Sequence, residues 1–308
     1  MGATNIPWDE LVRRIDRRQL TPFLGAGISR PPLPNAAELA AELAVRFAYP
    51  FRSKDLMQVA QYAATMVDGT APKEYVRELF DKVCDPDFTD PAQPHALLAR
   101  LPIPVYLTTN YDGYMEKALA ENNRAPLAEV CRWNSGLQRR YTDRLSDGEP
   151  EVGRPVVFHL HGYINDPDSF VLTEDDYLDF MVNARRYEGA TDTTLRVIPP
   201  KIDEVISLTS LLFLGYGLQD WNLRVLLRAL VQSADRSSQK ISVSVQLEPD
   251  DKIVEAVGRK AAIQYLEDYF EGLKIRVYWG TVNEFLGELT SRWDRAHVNT
   301  KAGEPNGG

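Results

Sequence analysis

Apolar residues recur along this chain with two different periods, and the change of period sets its organisation. Residues 6–20 place Ile6, Leu11, Val12 and Ile15 at helical spacing, which predicts an amphipathic helix, and a short apolar strand follows over roughly 21–25. Residues 35–48 (NAAELAAELAVRFA) predict a second helix. Asn35 is placed to cap it, and Glu38 stands three residues on, as in a capping box. Further helices are expected over 55–68, 72–84 and 94–100, the last after the punctuation of Pro86, Pro91 and Pro94. This helical block interrupts a β/α alternation and reads as an inserted cap.

The period then shortens. Pro104-Val105-Tyr106-Leu107-Thr108-Thr109 predicts a buried strand running into Asn110-Tyr111-Asp112 and a helix to about 121. A weaker strand is expected over 126–133, a polar loop over 134–153, and a strand over 154–160 that ends at His161-Gly162. A second helical insertion is expected over 174–208. Leu211 to Leu214 then predicts a buried strand, Gly215-Tyr216-Gly217 a turn, and 220–233 a helix that Asp220 is expected to cap. Strands over 240–247 and 273–279 alternate with helices over 250–268 and 281–294. Short β-branched runs between helices predict an α/β fold: a Rossmann-like parallel sheet with helices on both faces and an inserted helical cap.

Composition narrows the class without naming it. The chain has 308 residues, 44% of them hydrophobic and 26% charged, as in an ordinary globular protein. The net charge of −9 gives no overall attraction to nucleic acid or an anionic membrane. Only Cys84 and Cys131 are cysteines, too few for a four-cysteine zinc site, and they are expected to be small apolar residues in a reducing, cytoplasmic setting. No leader of basic residues followed by an apolar stretch is read at the N-terminus, and no apolar run approaches the roughly 20 residues that span a bilayer.

Candidate chemistry collects where strands end. Gly25-Ala26-Gly27-Ile28-Ser29 follows an apolar run, and a glycine turn of that kind can aim backbone N–H groups at a phosphate. The same turn also occurs at ordinary strand-to-helix junctions. Asn110 to Asp112, His161-Gly162 and Gly215-Tyr216-Gly217 sit at three further strand ends. In open parallel sheets ligands bind at those ends, near the reversal of strand order. Asn110 and Asp112 are also good helix caps, and capping is compatible with ligand contact. His159, two residues before His161, is expected on the same strand face as a supporting or core histidine.

The motifs and their order resemble the sirtuin superfamily. Sirtuins carry Gly-Ala-Gly-Ile-Ser, Gly-Ile-Pro-Asp-Phe-Arg, Thr-Gln-Asn-Ile-Asp and His-Gly. This chain has Gly25 to Ser29, a partial match at Pro32-Leu33-Pro34-Asn35, then Thr108-Thr109-Asn110-Tyr111-Asp112 and His161-Gly162, within a resemblance covering most of 20–247. The zinc cysteines of protein deacylases are missing, and Phe213-Leu214-Gly215-Tyr216-Gly217 resembles the zinc-free sirtuin-like proteins of bacterial antiphage defence. The resemblance implies one sirtuin-like NAD-binding domain over 1–297, insertions at about 35–100 and 174–208, and a flexible tail over 298–308.

It also implies an activity: NAD glycohydrolysis to nicotinamide and ADP-ribose, emptying the cell of NAD, with NAD as substrate and no metal. The alternatives are an NAD- or ADP-ribose-binding sensor without catalysis and, further behind, an NAD-dependent deacylase or ADP-ribosyltransferase. By the resemblance, Gly25 opens the cofactor-binding turn, in which the backbone of Ala26, Gly27 and Ile28 and the Ser29 hydroxyl hold the pyrophosphate. Asn110 contacts the nicotinamide ribose and helps position water, Asp112 orients the carboxamide, and His161 acts as base or polar orienter. Gly215 and Tyr216 face the adenosine half. A homo-oligomer and a separate activating partner, such as a HerA-type ATPase or a short Argonaute system, are implied, with no direct nucleic-acid or membrane contact.

Overall fold

A computed structural model describes residues 6–52, 55–186, 196–217, 242–247 and 258–301. Its centre is a seven-stranded parallel sheet. In chain order the strands are β1 (Leu20–Leu24), β2 (Val105–Thr108), β3 (Leu127–Val130), β4 (Val156–His159), β5 (Ser210–Leu214), β6 (Ser242–Gln246) and β7 (Ile275–Trp279). Across the sheet they run β3-β4-β2-β1-β5-β6-β7. The order reverses between β1 and β5, since β2 to β4 extend to one side of β1 and β5 to β7 to the other.

Side-chain alternation explains why the strands read as continuous apolar runs. Leu20, Leu24, Tyr106, Val157, Leu212 and Leu214 pack with α1 (Trp8–Asp16), α5 (Pro94–Ala99), α6 (Tyr114–Glu121) and α11 (Val282–Lys301). Phe23, Val105, Leu107, Val156, Phe158, Leu211 and Phe213 point the other way. They meet α8 (Glu174–Arg186), α9 (Pro200–Leu208) and α10 (Arg259–Gly272). Both faces are covered, so neither can be polar. Pro22 lies in the middle of the central strand and has no N–H to give. The structure accommodates it because pairing of β1 with β2 begins only at Phe23.

The helical block between β1 and β2 forms as its sequence dictates. Helix α2 (Ala36–Arg46) starts on the capping box: Asn35 Oδ1 accepts from the Glu38 N–H at 2.9 Å, and Glu38 Oε2 accepts from the Asn35 N–H at 2.9 Å. Helix α3 (Leu56–Met66) is capped by Asp55, and α4 (Ala71–Asp81) follows. Leu39, Leu43, Val59, Ala60 and Val76 make a small core of their own with Phe170 and Leu172, residues just beyond the β4 exit. Lys73 on α4 reaches Asp176 on α8 at 2.8 Å, a partly buried ion pair, and its ammonium lies 5.5 Å from the Trp133 ring centre.

Some expectations shift. The first helix ends at Asp16 rather than near 20, because β1 begins at Leu20. The polar stretch after β3 holds a short helix, α7 (Ser135–Arg140), started by the Asn134 side chain accepting from the Leu137 N–H at 2.9 Å. Cys131 is buried as expected, but Cys84, just past α4, is exposed. The helix expected over 220–233, Asp220 and residues 302–308 of the expected tail lie outside the described residues.

Candidate functional site

The β1 and β5 exits are joined edge to edge at the strand-order reversal. The Gly25 N–H donates to the Leu214 carbonyl at 2.8 Å, and the Gly27 N–H to the Gly215 carbonyl at 2.8 Å. Ala26 to Ser29 form one 3-10 turn, in which the Ile28 N–H donates to the Gly25 carbonyl at 3.1 Å. Gly215 has φ +80°, and a Cβ there would stand 2.4 Å from the Ile28 nitrogen. The Tyr216 ring covers Gly25, and its hydroxyl donates to the Leu24 carbonyl at 2.9 Å and meets Thr109 Oγ1 at 3.0 Å. The glycines therefore serve contact between two turns. The N–H groups of Gly25, Gly27 and Ile28 already have protein acceptors.

The β2 exit is tied to the same turn. The Gly25 carbonyl can only accept, so it must face the Asn110 amide nitrogen, which lies 3.1 Å away. That nitrogen also donates to Ser29 Oγ at 3.1 Å, and Ser29 Oγ in turn donates to Asp112 Oδ2 at 2.9 Å. The donor end of Asn110 is thus committed, which leaves its amide oxygen as the end available to a ligand. Asp112 Oδ1 accepts from the Tyr114 N–H at 3.0 Å, so Asp112 also ties down the start of α6, whose N-cap position is Gly113. Burial pushes its carboxyl up to about 6, against the pull of the Tyr114 and Ser29 donors.

Thr108 and His159 are register partners on neighbouring strands. Asn110 and His161 therefore leave adjacent strand ends, each two residues beyond the same rung. His161 is buried against Tyr177 and Phe180 of α8. Its Nε2 is buried with no hydrogen-bond partner among the described residues. Burial depresses the imidazole to about 4, so it is neutral at physiological pH. Gly162, at φ +103°, turns the chain back under it: a Cβ there would sit 2.4 Å from the Ser169 carbonyl oxygen.

The expectation that His159 and His161 share a face is overturned. Strand pairing ends at His159, which turns to α6 while His161 turns to α8. His159 Nε2 lies 2.6 Å from Glu116 Oε1, and its Nδ1 lies 3.2 Å from the Asn110 carbonyl. Sequence reasoning missed Glu116. Its one signal is its spacing, four residues and so about one helical turn after Asp112. Nothing local announced a partner at 159.

The strand order, with polar residues at the exits of β1, β2, β4 and β5 on either side of its reversal, defines a Rossmann-like fold of the doubly wound kind. Residues 104–277 match the SIR2-like domain family, and the chain belongs to that family. Among curated proteins it is similar to the NAD(+) hydrolase ThsA of Acinetobacter baumannii (strain 532279), 24% identical over 294 residues, covering 92% of this chain and 56% of that protein. The NAD(+) hydrolase ThsA of Bacillus cereus (strain MSX-D12) is 28% identical over 192 residues, covering 61% of this chain and 34% of that protein. This chain thus spans about half the length of the first relative and a third of the second. A solved Sir2 enzyme chain superposes at 14% identity with a TM-score of 0.45, covering 94% of this chain and 99% of that one. Among the described residues no helix is long and apolar enough to cross a membrane, and no group of three His, Cys, Asp or Glu is placed to hold a metal ion.

Proposed function

We propose that this chain binds NAD across the carboxyl ends of β1, β2, β4 and β5 and hydrolyses it to nicotinamide and ADP-ribose. The observation that carries the reading is the hydrogen-bonded run from Asn110 through Ser29 to Asp112, with the unpartnered His161 Nε2 at the next strand exit. The activity for which both ThsA relatives are named supports it. The bond from ribose C1′ to the pyridinium nitrogen breaks, its electron pair stays on that nitrogen, and neutral nicotinamide leaves. Water oxygen bonds to C1′ and its proton passes to solvent.

The residues take complementary parts. A carboxylate has about four lone-pair sites, so Asp112 can accept from the nicotinamide carboxamide beyond its two existing donors. The Asn110 amide oxygen meets the ribose and the incoming water. Neutral His161 accepts a hydrogen from that water or a ribose hydroxyl. The turn of Gly25 to Ser29 borders the pyrophosphate, and Gly215 and Tyr216 border the adenosine half. The site works chiefly by orientation and by stabilising an oxocarbenium-like charge. Such an effector depletes cytoplasmic NAD in antiphage defence. A homo-oligomer and a partner acting in trans, a HerA-type ATPase or a short Argonaute system, supply its trigger.

Chromatography of NAD incubated with the purified chain, alone and with the product of its genomic neighbour, should show equal amounts of nicotinamide and ADP-ribose. His161→Ala should abolish both. Thermal stabilisation by NAD without nicotinamide release in either mixture would replace hydrolysis with a binding-only role.

Acidity gives a separate handle. The rate should fall as pH drops through about 6, where Asp112 takes up a proton, while His161 stays neutral down to about 4. Asp112→Asn should lower the rate and remove that limb. The linkage to stability has the opposite sense. Between the ordinary 3.8 and about 6 the native carboxyl holds a proton that the unfolded chain has lost. The buried carboxylate therefore costs on the order of 3 kcal/mol at neutral pH, a cost relieved as pH falls through that window.

A further inference from the structure

We propose that Glu116 and His159 form a buried ion pair that positions the Asn110 to Asp112 segment, with the imidazolium gripping the Asn110 carbonyl and placing positive charge near Asp112. This rests on the NAD-cleaving reading of the cleft for its kinetic consequences but not for its geometry. Both nitrogens of His159 face oxygens that accept. The Asn110 carbonyl at 3.2 Å requires a hydrogen on Nδ1, and Glu116 Oε1 at 2.6 Å requires another between it and Nε2. A singly protonated ring beside an ionised Glu116 leaves one of those contacts as two facing lone pairs, which a fully buried side chain does not tolerate. The site therefore holds two protons on three atoms.

The surroundings decide where the second proton rests. The charged groups facing His159 are Glu116 from α6 and Asp112 from the β2 exit, with the Tyr163 ring 4.4 Å away, centre to centre, on the third side. Two carboxylates beside one imidazole favour the cation. Burial pulls the ring toward neutrality, but Glu116, the Asn110 carbonyl and Asp112 together push its pKa above the ordinary value. The other Glu116 oxygen is buried with no hydrogen-bond partner among the described residues. Glu116 is thus tethered to the protein through His159, and His159 to the cleft through Asn110. The backbone carbonyl is held from beneath, while the side chain of the same residue is held by Gly25 and Ser29. Asn110 is clamped at both ends.

Nitrogen-15 NMR of the imidazole rings tests the pair without any turnover. The parent chain at pH 7.5 should show both ring nitrogens of His159 protonated, assigned by loss of the signal in His159→Gln, while His161 shows one. In Glu116→Gln the His159 ring should lose its second proton by that pH. A singly protonated His159 in the parent overturns the proposal. Kinetics supply the second readout. Glu116→Gln should lower kcat about ten- to a hundredfold with little change in KM, as expected when a reacting group is misplaced rather than removed. His159→Gln leaves the Glu116 carboxylate uncompensated near Asp112, so the acid limb should move up by about one pH unit. Glu116→Gln combined with His159→Gln should bring it back. A limb that stays at the parent value in His159→Gln also overturns the proposal, because a residue needed only for packing does not move it. If the parent releases no nicotinamide, the hydrolase reading fails and the NMR experiment decides the ion pair alone.

Discussion

Asn110→Ala should reduce nicotinamide release by about a hundred- to a thousandfold, the range for losing one preorganised polar group that meets charge developing in a transition state. The side chain has two tasks that alanine cannot perform. Its nitrogen joins the Gly25 carbonyl to Ser29, and its oxygen is aimed by that joining at the space where the ribose would lie. Removing it leaves the Gly25 carbonyl with the Ile28 N–H as its remaining donor, a loss of about 0.5–1.5 kcal/mol for the one hydrogen bond. The adenosine and pyrophosphate contacts remain, so NAD should still raise the melting temperature of the variant. Initial rates measured beside a thermal-shift titration separate these effects. Parent-like rates in the variant would remove Asn110 from the chemistry. Asn110→Asp is a stringent companion, because a carboxylate cannot donate to Gly25 and would stand near Asp112.

Gly215→Ala should be the most damaging single-methyl change in the cleft. The backbone there has φ +80°, and the added carbon would lie 2.4 Å from the Ile28 nitrogen and 2.6 Å from the Gly25 carbonyl oxygen. Every one of those atoms is main chain, so no side chain can rotate aside. The left-handed conformation and the forced separation of two turns together should cost about 3 kcal/mol or more. For a chain of this size that lowers Tm by roughly 6–10 °C. NAD binding should vanish with it, because the β1 turn is anchored to β5 through the Gly27 to Gly215 hydrogen bond. Gly217→Ala is the control: among the described residues nothing lies within 4 Å of its added carbon, so it should be tolerated within about 0.5 kcal/mol. Differential scanning calorimetry of the two variants compares them directly, and equal melting temperatures would refute the argument.

The contrast between those glycines shows what a sequence discloses and what it hides. The layout of strands and helices was readable because short apolar runs and helix-start signals are written locally, as in Val105 to Thr108 or the Asn35 capping box. The contact of Asn110 with Gly25, and the exit of His161 from the strand next to that of Asn110, followed from the rule that parallel strands present their carboxyl ends together. The purpose of the glycines was not readable. Beside the phosphate contact that the sequence suggests for this turn, the structure brings Gly215 against Gly27, 188 residues away in the chain. The same distance in sequence concealed the Glu116 partner of His159. Even the face that His161 occupies depended on where strand pairing stops, which period-2 alternation does not reveal.

Phe170 and Leu172 lie beyond β4, yet their side chains belong to the small core of α2, α3 and α4. Tyr111, between the two polar residues of the β2 exit, stacks on Phe170 with ring centres 4.2 Å apart and donates its hydroxyl to the Val171 carbonyl at 2.9 Å. Anyone transplanting the cap between members of this family must therefore move residues 163–173 along with residues 35–99. A chimera exchanging only the contiguous helices would present Phe170 and Leu172 to a foreign socket, and the misfit would reach Asn110 and Asp112 through the single residue that separates them.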